Sequence, residues 1–565
     1  MVNPLFHITS PIFHPSIDHA ATDESLPAQD SNNDQRSAQL KDARSKYQYD
    51  WNTENAPGVP FLKDLPISEF FSARYILETG AELVKIKTNE VLPPFHRDKD
   101  RAEKIKDFEE LFVILPDPDV AKKSLWATDE SFGEQRLSGA NPMSIRRAQT
   151  RDEIAHLLPD SLGQALGTSS VDAELQAGRL FHVDHRPVLA PVTEPGKATL
   201  NGKEFQKHLP KTAGLFWWNR HTERLMPISI LVEGHTNRLV SAHGDSNEWL
   251  RAKIAFQACD GVVHEMSTHL GHTHLVMEGI GIAARRNLAE RHPIMRLLVP
   301  HLRFMMSINQ LAEEKLIKPG GEVDLSFGGT IKQIVSVAAL AYRNWDFTEN
   351  AFPNDIAARG VSKGANLPIY AYRDDAALYW EAITEYMQDY VGIFYSNDTA
   401  VKNDEELQAW STEVSAPSPQ GAAIRGFPNL DSVSALTFAL TQIIFTCSVQ
   451  HSAVNYPQND YLIFPPNSPF ALWDALDSEN LMDILPPMGP SEGQISLLTQ
   501  LTAIHYDELG DYEGKYTKDA RANKAIRTFF QGMTEIDAKI TSHQQSRWQS
   551  YEYLRPRNVT NSISI

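Results

Sequence analysis

Six of the twenty histidines in this chain lie between His264 and His301. The stretch reads HEMSTHLGHTHLVMEGIGIAARRNLAERHPIMRLLVPH, and its spacing restricts the fold more than any other feature of the sequence. Imidazole is the commonest protein ligand for transition metals. A zinc-peptidase helix carries H-E-x-x-H, with two histidines at i and i+4. Here His264-Glu265 is followed by His269, one residue too late. The pairs His264/His269 and His269/His274 are both i,i+5. On a regular α-helix five residues turn through about 500°, which leaves the two side chains roughly 140° apart. They cannot share a metal in that geometry. A π-turn adds a residue and brings them back toward one face. If both are ligands, a π-bulge is expected between His269 and His274.

A second apolar run, IIFTCSVQHSAVNYPQ (443–458), places His451 and Asn455 at i,i+4. That spacing puts a nitrogen donor and an amide oxygen donor on one helical face. The last residue, Ile565, offers an α-carboxylate. A terminus is usually frayed and solvated. An apolar last residue after a long structured sequence also fits burial, and the residues alone leave both readings open.

With these residues in view, the chain resembles a lipoxygenase. The family motif, His-x4-His-x4-His-x17-His-x8-His, is met by His264, His269, His274, His292 and His301 without departure. The segments SFGEQRLSGANPMSIRR (131–147), ELQAW (406–410), HSAVN (451–455) and NSISI (561–565) also resemble family segments. The resemblance covers roughly residues 60 to 565. It implies a mostly α fold: the lipoxygenase catalytic domain, a large helical bundle around two long core helices with small peripheral β-strands.

Residue by residue, the resemblance implies iron held by His269, His274, His451, Asn455 and the carboxylate of Ile565, with water or hydroxide in the sixth position. Asn at the fourth side-chain position is the plant-type choice; several animal members have His. His264, His292 and His301 belong to the motif but are not ligands in the family, so packing and hydrogen bonding are their expected roles. His272 lies outside the pattern. Three imidazoles, an amide oxygen and a carboxylate suit iron that cycles between ferrous and ferric states. Structural zinc prefers four ligands, commonly with Cys, and this chain has only Cys259 and Cys447. Manganese is the competitor; it occupies this scaffold in some fungal members, which often end in Val, whereas Ile565 leans toward iron.

The implied reaction is dioxygenation of a polyunsaturated fatty acid of the linoleate, linolenate or arachidonate type. A ferric hydroxide takes hydrogen from the bis-allylic carbon, O2 adds to the pentadienyl radical, and a lipid hydroperoxide results. The metal carries the hard chemistry; the protein supplies ligand field and orientation. The pocket should be long and apolar. INQLAEEKLI (308–317) resembles the arched helix over the family's active site. Ala312 falls where Ala accompanies S and Gly accompanies R stereochemistry, Leu316 would pack against the pentadiene, and Leu501 matches the opposing apolar clamp. Glu265 and Gln458 occupy positions that are both Gln in plant-type members. A carboxylate beside a metal site needs hydrogen-bond partners or a shifted pKa, so Glu265 is expected to contact the Gln458 amide.

The rest of the chain sets bounds. Periodic apolar runs at 247–287, 295–317, 372–398 and 432–454 make the region 210–565 read as helical. Residues 65–115 also read as helical. Residues 15–55 are polar and poor in β-branched residues, and read as flexible or loosely helical. The expected organisation is therefore a partly flexible N-terminal extension over 1–60 and a catalytic domain over 61–565. The eight or so short alternating strands of an N-terminal β-sandwich lipid-binding domain are not found, a compact form that resembles bacterial members. MVNPLFHITSPIF at the start could insert shallowly in a bilayer but lacks the basic region and apolar core of a signal peptide. No run of about 20 uninterrupted apolar residues exists. A net charge of −19 argues against nucleic acid and strongly anionic membranes. Two separated cysteines fit a reducing compartment. The expectation is a cytoplasmic monomer, with peripheral membrane contact through the N-terminal segment. The alternatives are a manganese lipoxygenase or a hydroperoxide isomerase on the same scaffold, and a silent lipid-binding protein, which would need a damaged ligand set.

Overall fold

A computed structural model describes residues 22–92, 101–167, 169–234 and 237–565. Helix accounts for 53% of the protein, in line with the mostly-α expectation. The first core helix runs through 246–287. It starts as an α-helix at Ser246–Val263, becomes a π-helix at His264–Leu275, and ends as an α-helix at Val276–Asn287. Asp245 caps its start, its side chain accepting from the amides of Asn247 and Glu248. These caps satisfy donors that a helix start leaves unpaired. The second core helix follows the same plan: α at Val433–Phe445, π at Thr446–Gln450, and α again at His451–Asn455. The run Val433–Tyr461 is long and apolar enough to cross a membrane, with mean hydropathy 1.4, but 78% of its most apolar window is buried inside the protein. It is a core helix, and its burial is what its apolar composition serves.

Long flanking helices enclose this pair. Ile331–Asn344 lies against the first π-helix, where Gly271 permits the contact: a Cβ there would stand 2.7 Å from Ala341 Cβ. Ala371–Phe394 packs between the second core helix and Ala520–Gln544, with Trp380 edge-on to Phe445 at 5.3 Å and Tyr386 stacked on Phe529 at 4.7 Å.

The expectation of helix from residue 210 onward fails over 211–241. Strands Arg146–Arg147, Leu180–Asp184, Lys211–Asn219, Arg224–Glu233 and Arg238–Ser241 form an antiparallel five-stranded sheet in that order. Its centre is buried on both faces, so Ala213–Trp218 reads as one continuous run without polar alternation. Periodicity cannot separate such a strand from a buried helix. Pro227 is tolerated because it sits at a register shift opposite Leu215/Phe216. The helix Asp129–Ser138 crosses the sheet so closely that a Cβ at Gly133 would overlap the Leu225 carbonyl oxygen. That contact explains the glycine in SFGEQ.

Residues 22–60, read as part of a loose extension, are built into the body. Asn33–Lys46 is a helix whose Arg36 makes a two-pronged buried contact with Glu406, at 2.5 and 2.8 Å. Tyr47, Trp51, Ala56, Val59 and Phe61 join the main core. Polar composition misled here because the helix attaches through buried ion pairs rather than an apolar stripe. The helical reading of 65–115 matches Ala73–Val91 and Ile105–Glu109. The apolar segment 1–13 lies outside the described residues.

Candidate metal centre

The expected π-bulge is a full π-helix of twelve residues, His264–Leu275. Its wider turn leaves carbonyls that threonines help satisfy: Thr268 Oγ1 donates to His264 O and Thr273 Oγ1 to His269 O. The extra residue per turn puts His269 and His274 side by side, their Nε2 atoms 3.2 Å apart. His451 arrives from the second core helix, one residue after its own π-turn, with Nε2 3.4 Å from His269 Nε2. One ring nitrogen from each of the three lies within 4.8 Å of the others, and all three side chains are buried.

Burial disfavours the charged imidazolium. It pulls His274 down to about 3, with His269 adding repulsion. Burial likewise lowers His269, despite the nearby Glu265, and lowers His451 further, with the other two histidines contributing. Three buried imidazoles with convergent Nε2 atoms, each disfavoured as a cation, form a candidate metal site. The donors are nitrogen with no thiolate among them, which fits iron or a similar transition metal.

Asn455 lies one turn beyond His451 and is fully buried. Its Nδ2 donates to the Leu501 carbonyl at 2.8 Å, and its Oδ1 accepts from Gln458 Nε2 at 2.9 Å. Leu501, expected to act through its side chain, therefore also holds Asn455 through its backbone. Ile565 is buried in a cluster with Tyr75, Phe304 and Leu311. Its segment is tied down by Tyr75 Oη to Ser564 O at 2.7 Å and by Thr560 N to Ser452 Oγ at 3.3 Å, next to His451.

The expected Glu265–Gln458 contact is absent. The Gln458 amide nitrogen is committed to Asn455, while Glu265 Oε2 faces His269 Nδ1 at 3.4 Å and Oε1 faces His264 Nδ1 at 3.5 Å. Burial would raise the Glu265 carboxyl, but His264 and His269 outweigh it and hold it down at about 2. A carboxylate beside two imidazoles has a better partner than a neutral amide.

The other motif histidines are anchors. His264 Nε2 donates to Val454 O at 2.8 Å, joining the two core helices just before Asn455. His292 caps the helix Pro293–Leu302 through Nδ1 and meets Asp404 through Nε2 at 3.0 Å. His301 Nδ1 meets Asn561 O at 2.8 Å. The segment SFGEQRLSGANP contributes a buried polar hub: Arg136 pairs with Asp260 at 2.7 Å, Asn141 and His185 also bond Asp260, and Thr268 of the π-helix donates to Asn141.

Ala312 and Leu316 begin and end a third π-helix, Ala312–Leu316, which continues Met305–Leu311. Ala312 is buried and Leu316 and Leu501 are half-buried against the core. This arched helix is fixed over the centre by Asn309, whose Oδ1 accepts from His274 Nδ1 at 2.8 Å. Asn309 in turn donates to Glu278 at 2.7 Å. Burial pushes the Glu278 carboxyl up to about 8. Sequence reasoning missed both residues. One signal was available: Glu278 is the lone acid in the apolar run LVMEGIGIAA, one turn after His274, and buried acids are rarely without a partner.

Known proteins agree with this architecture. A family model described as lipoxygenase matches residues 26–552. The mouse polyunsaturated fatty acid lipoxygenase ALOX8 is 32% identical over 454 residues, which is 78% of this chain and 66% of that protein; the chain thus spans just under two thirds of that relative. A solved lipoxygenase structure in complex with arachidonate matches with a TM-score of 0.84 at 27% identity, covering 96% of this chain and 84% of the other. Coral 8R-lipoxygenase matches at 0.83 and 26% identity, covering 96% and 83%. With its histidine cluster, paired core helices and family match over nearly its whole length, this chain belongs to the lipoxygenase family.

Proposed function

We propose that this protein is a non-heme iron dioxygenase that converts polyunsaturated fatty acids to lipid hydroperoxides. The observation that carries the reading is the convergence of His269, His274 and His451 on one buried point, from two helices that each change to π geometry to achieve it. Asn455 and the carboxylate of Ile565 complete the proposed ligand set. Iron bound there would supply the one-electron and oxygen chemistry.

The chain's own residues do the rest. Burial disfavours protonation of the imidazoles, which favours lone-pair donation to a cation. Leu501 O and Gln458 fix the Asn455 carboxamide. Ala312, Leu316 and Leu501 offer apolar contact to a hydrocarbon chain, with Ala312 favouring an S product. Arachidonate in a related lipoxygenase of the same fold supports a fatty-acid substrate.

Metal analysis of the purified protein, followed by oxygen uptake with linoleate and chiral chromatography of the products, tests the reading. The expected result is one iron per chain and a hydroperoxide. Manganese in its place would transfer the reading to a manganese lipoxygenase. Products formed only from added hydroperoxide would transfer it to a hydroperoxide isomerase. Iron-loaded protein that consumes no oxygen would sink it.

A further inference from the structure

We propose that Asn309 and Glu278 are positioning residues that fix which nitrogen of His274 faces the metal centre, and that the N-terminal strand at Leu62 closes this relay. The inference rests on the metal reading above. A neutral imidazole carries one N–H and one lone pair, and the partner of one nitrogen decides the state of the other. His274 Nδ1 donates to Asn309 Oδ1 at 2.8 Å, which leaves Nε2 as the lone-pair nitrogen.

A carboxamide could present either end to an imidazole, so something must hold the amide in place. Asn309 Nδ2 donates to His274 O at 3.1 Å and to Glu278 Oε2 at 2.7 Å. Turning the amide over would point Oδ1 at two acceptors. Glu278 is held in turn, because its Oε1 accepts from Leu62 N at 2.9 Å. Both Glu278 oxygens therefore accept from an N–H, and a side-chain amide nitrogen could not do so. Asn309 is 0% exposed and Glu278 1%, so water cannot replace a lost partner.

The other two imidazoles have no such arrangement. His269 Nδ1 has a longer contact with Glu265, at 3.4 Å, and His451 Nδ1 has no hydrogen-bond partner among the described residues. His274 is the ligand whose orientation the protein specifies through a chain of buried partners. That chain runs from the first core helix through the arched helix to the strand Phe61–Leu62.

The test is a polarity swap at constant volume, read as iron affinity by chelator competition on full-length protein. Glu278→Gln places an N–H where an acceptor is needed and should weaken iron binding about 10- to 100-fold, the usual cost of losing an outer partner of a ligand. Adding Asn309→Asp restores a donor–acceptor match with the new amide, though not the bond to His274 O, and should recover part of the loss. Asn309→Asp alone sets a second oxygen against two acceptors, Glu278 Oε2 and His274 O, and should weaken iron binding, as should Asn309→Leu. Asp404→Asn, which breaks the equally buried His292 pair, should lower the melting temperature and leave iron affinity unchanged.

Glu278→Gln protein that binds iron like wild type would overturn the relay. So would a double variant that folds but binds no better than Glu278→Gln, or an Asn309→Leu protein that keeps wild-type iron affinity. Wild-type protein that takes up no iron would overturn the metal reading and the relay together, which separates the two failures.

Discussion

His301 donates from Nδ1 to the carbonyl of Asn561 at 2.8 Å, four residues before Ile565. The last histidine of the motif thus holds the segment that carries the final proposed ligand. His301 is fully buried, and Tyr512 lies on its other nitrogen at 3.4 Å. Replacing it with Phe preserves an aromatic ring but leaves the Asn561 carbonyl unpaired. Such a loss costs about 1–3 kcal/mol. His301→Phe should be destabilised by that amount in urea unfolding. Its iron content should fall as well, although no ligand has been changed.

The Arg136–Asp260 pair supports the π-helix from behind. Burial would raise the Asp260 carboxyl, but Arg136, His185 and Asn141 outweigh it and hold it at about 2, below its ordinary 3.8. A depressed carboxyl contributes stability that is present above its unfolded pKa and lost as pH falls through the folded value. Asp260→Asn should therefore remove about 3–5 kcal/mol at neutral pH, because Arg136 is left buried without its counter-charge. The gap from wild type should narrow in strong acid. Denaturation curves at neutral and acidic pH check both statements.

Glu278 has the opposite sign. Its carboxyl is raised from 4.5 to about 8 by burial. The folded protein holds the proton more tightly than the unfolded chain. The resulting stability is full below about 4.5 and is lost as pH rises through about 8. The pH dependence of unfolding should be shallower across that window in Glu278→Gln than in wild type. Parallel curves for the two proteins would contradict the assignment.

Ala312 is buried at the point where the arched helix changes from α to π. Removing its methyl group opens space beside the proposed substrate without touching a ligand. Ala312→Gly should shift oxygenation toward the R hydroperoxide, with iron content unchanged. Chiral chromatography of the products checks this, and an unaltered product profile would remove Ala312 from the stereochemical argument.

The sequence by itself determined the family motif and the departure from α geometry. An i,i+5 pair of histidines can share a site only if the helix widens, and that follows from residues per turn alone. Spacing alone left His264, His269 and His274 equivalent; the family resemblance singled out the three histidines that converge. The sheet over 211–241 was not legible, because a strand buried on both faces has no alternation to read. The close packing of residues 22–60 was hidden for a related reason: Arg36 and Glu406 stand 370 positions apart, and neither looks like a core residue until they meet. Tertiary structure alone decided which partner each buried polar group took. It turned Glu265 toward two imidazoles instead of Gln458 and made His301 an anchor of the chain's last segment. It also placed Asn309 and Glu278 behind His274. Such choices depend on the distances between segments remote in sequence. The cost of leaving a buried donor or acceptor unpaired then selects among the partners that the fold brings within reach.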